Sequence, residues 1–279
     1  MKIAVVLTAF NRKNKTLACL TSLEKQVDMP EYDVYLCDDG STDGTKEAVL
    51  DEFHNVTVIQ GTGALFWTRG MALAMSAAVS KKYDYYLMVN DDVEFFDNMW
   101  QTMLYYFREN NCIGVTGCTK SKQTGLLTYS GAKFYHEDKK RFVDCKIAPD
   151  GVHDFNCDVA NWNCFLISDE VVGKVGHIDP IYEHSFGDFD YSLRMRSKGI
   201  PIYISKEYIG YCENNSSKNT YRDGSLSRKK RIEKILSPNG LPLKSWFTFT
   251  SRYYGAAAFR NFVVPYVKFI FSLIGNKNC

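Results

Sequence analysis

The sequence predicts an α/β fold: a largely parallel sheet flanked by helices, followed by a helical, basic and aromatic C-terminal extension. Three observations predict it. Short apolar runs alternate with amphipathic segments through the first half of the chain. Turn and capping residues sit at the junctions between them. Charge is also split along the chain: residues 216–279 hold 12 of the 34 Lys+Arg but 2 of the 32 Asp+Glu, a balance of +10 against −8 for the residues before them. The overall net charge of +2 conceals an acidic body and a basic tail.

Each element has its own justification. Residues 3–8 are apolar and β-branched and read as a buried first strand. They imitate a signal peptide only superficially, because Asn11-Arg12-Lys13-Asn14-Lys15 follows without a small-residue cleavage site. Further strands are expected at 34–37, 56–59 and 85–89, each bounded by turn or charged residues. Between them lie helices at about 15–25, 45–53 and 69–80, the second capped by Ser41-Thr42-Asp43-Gly44. Such alternation gives parallel strands with helices on both faces. From 112 to 155 helical periodicity is lost, and Gly117, Gly125, Gly131 and Gly151 punctuate short β-like pieces, the pattern of a hairpin-rich insertion. The body is completed by a strand at 164–167, a short helix near 169–174, a helix from about 186 to 198 and a strand at 200–204. The polar stretch 214–219 separates it from the tail.

With 45% hydrophobic and 24% charged residues, the composition excludes disordered, collagen-like and disulfide-scaffold classes. The nine cysteines form no CxxC pair and cannot all pair within the chain, so they read as reduced small hydrophobes of a cytoplasmic protein. No stretch reaches the roughly 18–20 consecutive apolar residues expected of a membrane-spanning helix. In the tail, Arg228-Lys229-Lys230-Arg231 precedes many aromatic residues interleaved with Arg252, Arg260 and Lys268. This mixture suits either packing on the body with basic groups outward or contact of 226–275 with an anionic membrane, peripheral on the cytoplasmic face of the inner membrane. No nucleic-acid-binding pattern accompanies the charge, and no nucleic acid partner is expected.

Ligands of open α/β sheets bind beyond the carboxyl ends of the strands. There the sequence places Thr8-Ala9-Phe10-Asn11-Arg12, then Asp38-Asp39-Gly40-Ser41-Thr42-Asp43-Gly44-Thr45, then Asn90-Asp91-Asp92-Val93. Each alone is an ordinary turn or cap. Together they gather like charges at one sheet edge, which folding does not require. Such carboxylates suit Mg2+ or Mn2+ held jointly with substrate phosphates. No glycine loop ending in Gly-Lys-Ser or Gly-Lys-Thr is present, and Gly61-Thr62-Gly63-Ala64-Leu65-Phe66 has Phe where a dinucleotide fingerprint needs Gly.

These segments, with Gly187-Asp188-Phe189-Asp190-Tyr191-Ser192-Leu193-Arg194, resemble in order and spacing the motifs of family 2 glycosyltransferases over about residues 1–211. The resemblance is closest to bacterial rhamnosyltransferase-like members that build surface polysaccharides. It implies a GT-A fold (a Rossmann-like mixed sheet flanked by helices), a UDP- or dTDP-sugar donor, Mn2+ or Mg2+, and transfer with inversion to a hydroxyl. The acceptor it implies is a growing, lipid-linked glycan such as O-antigen or capsule. It divides the chain into a catalytic domain at 1–215 (donor half 1–111, acceptor half 112–215) and an extension at 216–279. By the same resemblance Thr8, Ala9, Phe10, Arg12 and Asp39 hold the base and ribose, and Asp91 contacts ribose or diphosphate. Asp92 binds the metal, while Trp67 and Arg69 fall on the donor side. Asn90 and Gly187 depart from the family pattern, where Asp and Glu are usual.

Inverting transfer needs one carboxylate to deprotonate the acceptor hydroxyl. With Gly187 in place of Glu, Asp188 inherits that role. At about 100° per residue Asp190 lies nearer the apolar face of Phe186, Phe189 and Leu193 and stands four residues before Arg194, which suits an ion pair. Asp188 projects away from that face; Asp190 is the second candidate and is placed with Trp162 and His184 on the acceptor side. Two other functions stay open: a sugar-1-phosphate nucleotidyltransferase, which would want glycine after the first strand, and a catalytically degenerate scaffold that binds nucleotide sugar.

Overall fold

A computed structural model describes residues 1–133 and 145–275. Residues 134–144 of the expected hairpin insertion, and 276–279 of the tail, lie outside the described residues.

The first half follows the predicted alternation: β1 (Ile3–Ala9), α1 (Lys13–Glu24), β2 (Tyr32–Asp38), α2 (Thr45–Glu52), β3 (Val56–Gln60), α3 (Phe66–Val79) and β4 (Tyr85–Val89). These strands lie in the order β4-β1-β2-β3, all parallel. Every residue of β1 is buried because period two sends alternate side chains into two cores. Ala4 and Val6 pack with Met71 and Met75 of α3, whereas Ile3, Val5 and Leu7 pack with Leu20 and Leu23 of α1.

The second half extends the same sheet through β5 (Glu94–Phe95), α4 (Met99–Leu104), β6 (Gly114–Lys120), β7 (Leu127–Tyr129), β8 (Gly131–Lys133), β9 (Cys145–Lys146), β10 (Asn156–Cys157) and β11 (Val159–Ala160). β12 (Cys164–Ser168), α5 (Asp169–Val175), α6 (Gly187–Ser197) and β13 (Ile202–Tyr211) complete the body. The sheet continues from β4 as β12-β6-β13-β10, with β12 antiparallel to both neighbours and β6 parallel to β13, so it is mixed. β8, β9 and β11 form a separate small sheet.

Three expectations are corrected. Residues 114–120 are a central strand rather than part of the insertion. Its glycines weaken the strand signal but are sterically required: a Cβ at Gly117 would lie 2.5 Å from Ile209 Cγ1. β13 runs on to Tyr211, beyond the expected end at 204. The tail folds as α7 (Arg228–Leu236), α8 (Leu243–Tyr253) and α9 (Ala258–Gly275), and the segment Gly255–Ile274 is long and apolar enough to cross a membrane, with mean hydropathy 1.4. Arg260 and Lys268 interrupt the apolar run, which hid it from a count of consecutive apolar residues. Cys19, Cys37, Cys118, Cys157, Cys164 and Cys212 are buried free thiols, and Cys112 is a half-buried one.

Candidate active site

The loops after β1, β2 and β4 open onto a cavity of about 740 Å³, which the start of α6 also lines. Register explains the convergence, since Ala9 pairs with Asp38 and Val6 with Met88, so the three loops leave the sheet at one level. The first two are tied together. Asn11, at φ 52°, accepts the Thr42 amide on Oδ1 at 2.7 Å and donates its own amide to Ser41 Oγ at 2.9 Å. Lys13 N–H reaches Asp43 Oδ2 at 2.9 Å.

Asp39 is buried on the cavity wall and grips the loop leading to α3. Its Oδ1 accepts from Gly63 N–H at 2.8 Å, and its Oδ2 from Leu65 and Phe66 N–H, both at 2.9 Å. This grip holds Phe66 at φ 58°. A carboxylate offers about four lone-pair positions, so one is left for a ligand N–H.

Arg12 joins the acids. Its Nη1 lies 2.8 Å from Asp91 Oδ1 and 3.2 Å from Asp92 Oδ2, and Lys15 Nζ reaches that second oxygen at 3.4 Å. Thr16 donates its hydroxyl to Asp91 Oδ2 at 3.3 Å. Burial, partly offset by Arg12, pushes the Asp91 carboxyl up to about 6. The Cys212 thiol donates to Asp92 Oδ1 at 3.6 Å, and burial holds that thiol up at about 12, protonated. Asn90 is structural: its Oδ1 accepts from Trp67 Nε1 at 2.7 Å, and its N–H donates to the Asn163 carbonyl at 3.2 Å.

Among the described residues no group of three or more His, Cys, Asp or Glu forms a metal cage. The donor set nevertheless fits a hard dication that takes one carboxylate, Asp92, and completes its shell with substrate phosphates and water.

Asp188 lines the same cavity from the start of α6. Phe189 N–H donates to its Oδ1 at 2.9 Å, and burial pushes the carboxyl up to about 6. Ser192 donates its hydroxyl to the Asp188 carbonyl at 2.8 Å and accepts the Ala160 amide, fixing the first turn on β11. Gly187 is explained by contact: a Cβ there would lie 2.3 Å from Thr68 Cγ2, so a glutamate would be driven into α3. Thr68 in turn donates its hydroxyl to the His184 carbonyl at 2.8 Å. His184 lines the cavity beside Phe66, and burial lowers its ring to about 4, leaving it neutral.

The cavity therefore gathers Thr8, Ala9, Phe10, Arg12, Asp39, Trp67, Asp91, Asp92, Trp162, His184 and Asp188. Trp162 is 1% exposed and stacked on Phe165 at 5.2 Å, so the ring expected on the acceptor side is committed largely to the core. Two expected residues are not on the cavity wall. Arg69 pairs with Glu183 at 3.2 Å and donates Nε–H to the Pro180 carbonyl. Asp190 is fully buried and accepts from Arg194 Nε at 2.9 Å, Arg252 Nη1 at 2.9 Å and the hydroxyls of Tyr182 and Tyr253 at 3.0 and 2.6 Å. It holds α6 to α8 and leaves the acceptor side to others.

Sequence reasoning missed Lys15, Cys212 and Phe186. Lys15 had a signal, one helical turn past Arg12; Cys212, at the end of β13, had none. Phe186, at φ 78°, stacks on Trp246 of α8 with centroids 5.3 Å apart while lining the cavity.

A mixed sheet of this order, with acids beyond β2 and β4 and a further acid at the start of α6 lining the same cavity, is the GT-A fold. The family model described as glycosyl transferase family 2 matches residues 4–174, and the chain belongs to that family. Among solved structures it is similar to GalNAc-T7 with UDP, GalNAc and Mn2+, at 14% identity and TM-score 0.55, covering 84% of this chain and 47% of that one. It is also similar to S. aureus TarS in complex with UDP, at 15% identity and TM-score 0.54, covering 90% and 70% of the two chains. A third is the mannosyltransferase PcManGT from Pyrobaculum calidifontis in complex with GDP-Man and Mn2+, at 14% identity and TM-score 0.55, covering 99% and 76%. At these identities the likeness is one of fold, and this chain spans about half the length of the GalNAc-T7 chain. No curated protein matches by sequence.

Proposed function

We propose that the protein is an inverting hexosyl- or rhamnosyltransferase that moves a sugar from UDP or dTDP to a hydroxyl of a growing, lipid-linked surface glycan in the bacterial cytoplasm. What carries the reading is one juxtaposition: Asp188 lines the same cavity as the Arg12–Asp91–Asp92 cluster. In this mechanism Asp39 accepts a hydrogen bond from the pyrimidine ring through its remaining lone pair. Arg12 and Lys15 meet the diphosphate as cations. Asp92 would hold Mn2+ or Mg2+, which when bound supplies charge stabilisation to the leaving diphosphate. Asp188 takes the proton of the acceptor hydroxyl as its oxygen bonds to the anomeric carbon. The carbon–oxygen bond to the diphosphate breaks on the other side of the sugar, which inverts that centre. An Asp188 carboxyl lifted to about 6 is ionised at neutral pH yet more basic than an ordinary aspartate, as a general base needs.

The test is a panel of UDP- and dTDP-sugars assayed with Mn2+ for nucleotide release, in wild type and Asp188→Asn. The reading expects release from one donor class, lost in the variant, whose donor binding is retained. Wild-type turnover in Asp188→Asn would remove Asp188 as the base.

A further inference from the structure

Residues 216–279 carry ten of the eighteen exposed large hydrophobic side chains among the described residues. Phe259, Phe271 and Ile274 are 76%, 68% and 63% exposed, and Phe247 and Ile270 are more than half exposed. On α9, the exposed Val264, Val267, Phe271 and Ile274 share a side. Its opposite side, with Tyr266, Phe269 and Leu273, packs on Ile235 of α7 and on Leu241. Tyr266 donates its hydroxyl to the Leu241 carbonyl at 2.8 Å, and Arg231 of α7 donates to Ser272 Oγ at 3.0 Å. At about 100° per residue, positions 264, 267, 271 and 274 turn away from those contacts, and all four are exposed. Phe247 of α8 meets Phe262 with centroids 5.4 Å apart and carries the patch across to the neighbouring helix.

The charge around this face has one sign. Residues 228–275 hold nine Lys+Arg and one acidic residue, Glu233. Arg228, Lys229 and Lys230 of α7, Lys244 of α8, and Arg260 and Lys268 of α9 are all exposed.

We infer that α7–α9 form a docking surface for an anionic bilayer, lying in the plane of the interface with the apolar face of α9 among the acyl chains and the basic groups at the lipid phosphates. Charge decides against a second copy of the chain as occupant, since pairing two such faces would bring two basic tails together. Geometry decides against spanning: α9 is fastened along one side to α7 and Leu241, and in-plane burial covers its exposed side without breaking those bonds. The inference stands on this surface alone and is independent of the assignment of Asp188.

The experiment is flotation of the full chain with vesicles of pure phosphatidylcholine and of phosphatidylcholine mixed with phosphatidylglycerol. Binding is expected only to the mixture and is reversed by high salt and by alkaline carbonate. Lys229→Glu/Lys230→Glu weakens it about tenfold or more. Phe259→Ser/Phe271→Ser abolishes it while melting like wild type. The inference is overturned by failure to float with the anionic vesicles, by binding insensitive to salt and to both variants, or by carbonate-resistant association, which would indicate spanning. A concentration-dependent oligomer that Phe259→Ser/Phe271→Ser dissociates, without vesicle binding, overturns it in favour of a copy-to-copy interface.

Discussion

Replacing Arg252 by methionine probes how the tail and the base helix depend on each other. Arg252 donates to the buried Asp190 at 2.9 Å, and its other guanidinium nitrogen meets Asp179 at 2.7 Å. Methionine keeps most of the aliphatic stem and deletes both bonds. A hydrogen bond involving a charged group contributes about 1.5–3 kcal/mol, and the lower end applies because the Arg252 side chain is 39% exposed. The Asp179 pair, open to solvent, adds about 0.5 kcal/mol. Asp190 keeps Arg194 and two tyrosine hydroxyls, so the larger cost of a stranded buried charge is avoided. The loss is then about 2 kcal/mol, which lowers Tm by about 4–8 °C in a chain of this size. Because Asp190 is two residues past Asp188 on α6, kcat is expected to fall while KM for the donor stays. Arg252→Lys restores charge without the planar fork and recovers part of both. The measurements are calorimetric unfolding and steady-state kinetics on the same preparations. Unchanged Tm in Arg252→Met would show that the four-donor arrangement around Asp190 is not what holds α8 to α6. A changed donor KM with constant kcat would show that the tail acts on the donor side instead.

Other expectations follow from the same geometry. A carboxyl raised from 3.8 to about 6 in the fold binds its proton more tightly than in the unfolded chain, so ionisation of Asp188 costs stability as pH rises through that window. Asp188→Asn should therefore melt higher than wild type at neutral pH, by up to about 3 kcal/mol, and lose the advantage near pH 4, while kcat drops by about a hundredfold or more; equal stability of the two proteins at neutral pH would contradict the burial argument. Gly187→Ala should destabilise by about 1–3 kcal/mol through its clash with Thr68, and Thr68→Ala should recover most of that in the double variant by equilibrium unfolding. Calorimetric titration should find Mn2+ binding weak alone and much tighter with UDP present, with the enhancement absent in Asp92→Asn. His184→Gln should leave the acid limb of the pH–kcat profile in place, because a ring lowered to about 4 is neutral throughout the assay range.

Much of this architecture was legible because it rests on local pattern. Strands β1 to β4 are apolar runs that can only be enclosed, and the loops after them carry residues with no packing purpose. Helix geometry helped separate Asp188 from Asp190, and the 2.9 Å contact of Asp190 with Arg194 is the ion pair expected from their spacing. What escaped depended on partners far along the chain. β6 looks like a loop until Ile209 and Phe165 are seen to need the space that its glycines leave. Arg69 read as a donor-side residue because nothing local reveals Glu183 and Pro180 beside it. Asp190 appeared available to an acceptor because its partners Arg252 and Tyr253 lie about sixty residues away, in a tail that composition alone presented as separate.

The acid cluster remains the physically demanding feature. Asp91 and Asp92 side by side would repel both each other and any incoming diphosphate. Arg12 and Lys15 change that: with both acids ionised, the four groups sum to zero formal charge within contact distances of 2.8 to 3.4 Å. The balance offsets the repulsion between the two acids, although burial still makes ionised Asp91 costly. It leaves no surplus charge with which to capture either a lone cation or a lone diphosphate. Adding both together preserves the balance, since the dication can take Asp92 while Arg12 and Lys15 turn to the phosphates. Cooperative binding of nucleotide and metal is then a property of the charge count, and by linkage each must strengthen the other by the same factor. The same reasoning gives Asn90 its place. A third carboxylate there would tip the cluster negative, whereas its amide closes the Trp67 contact at no charge.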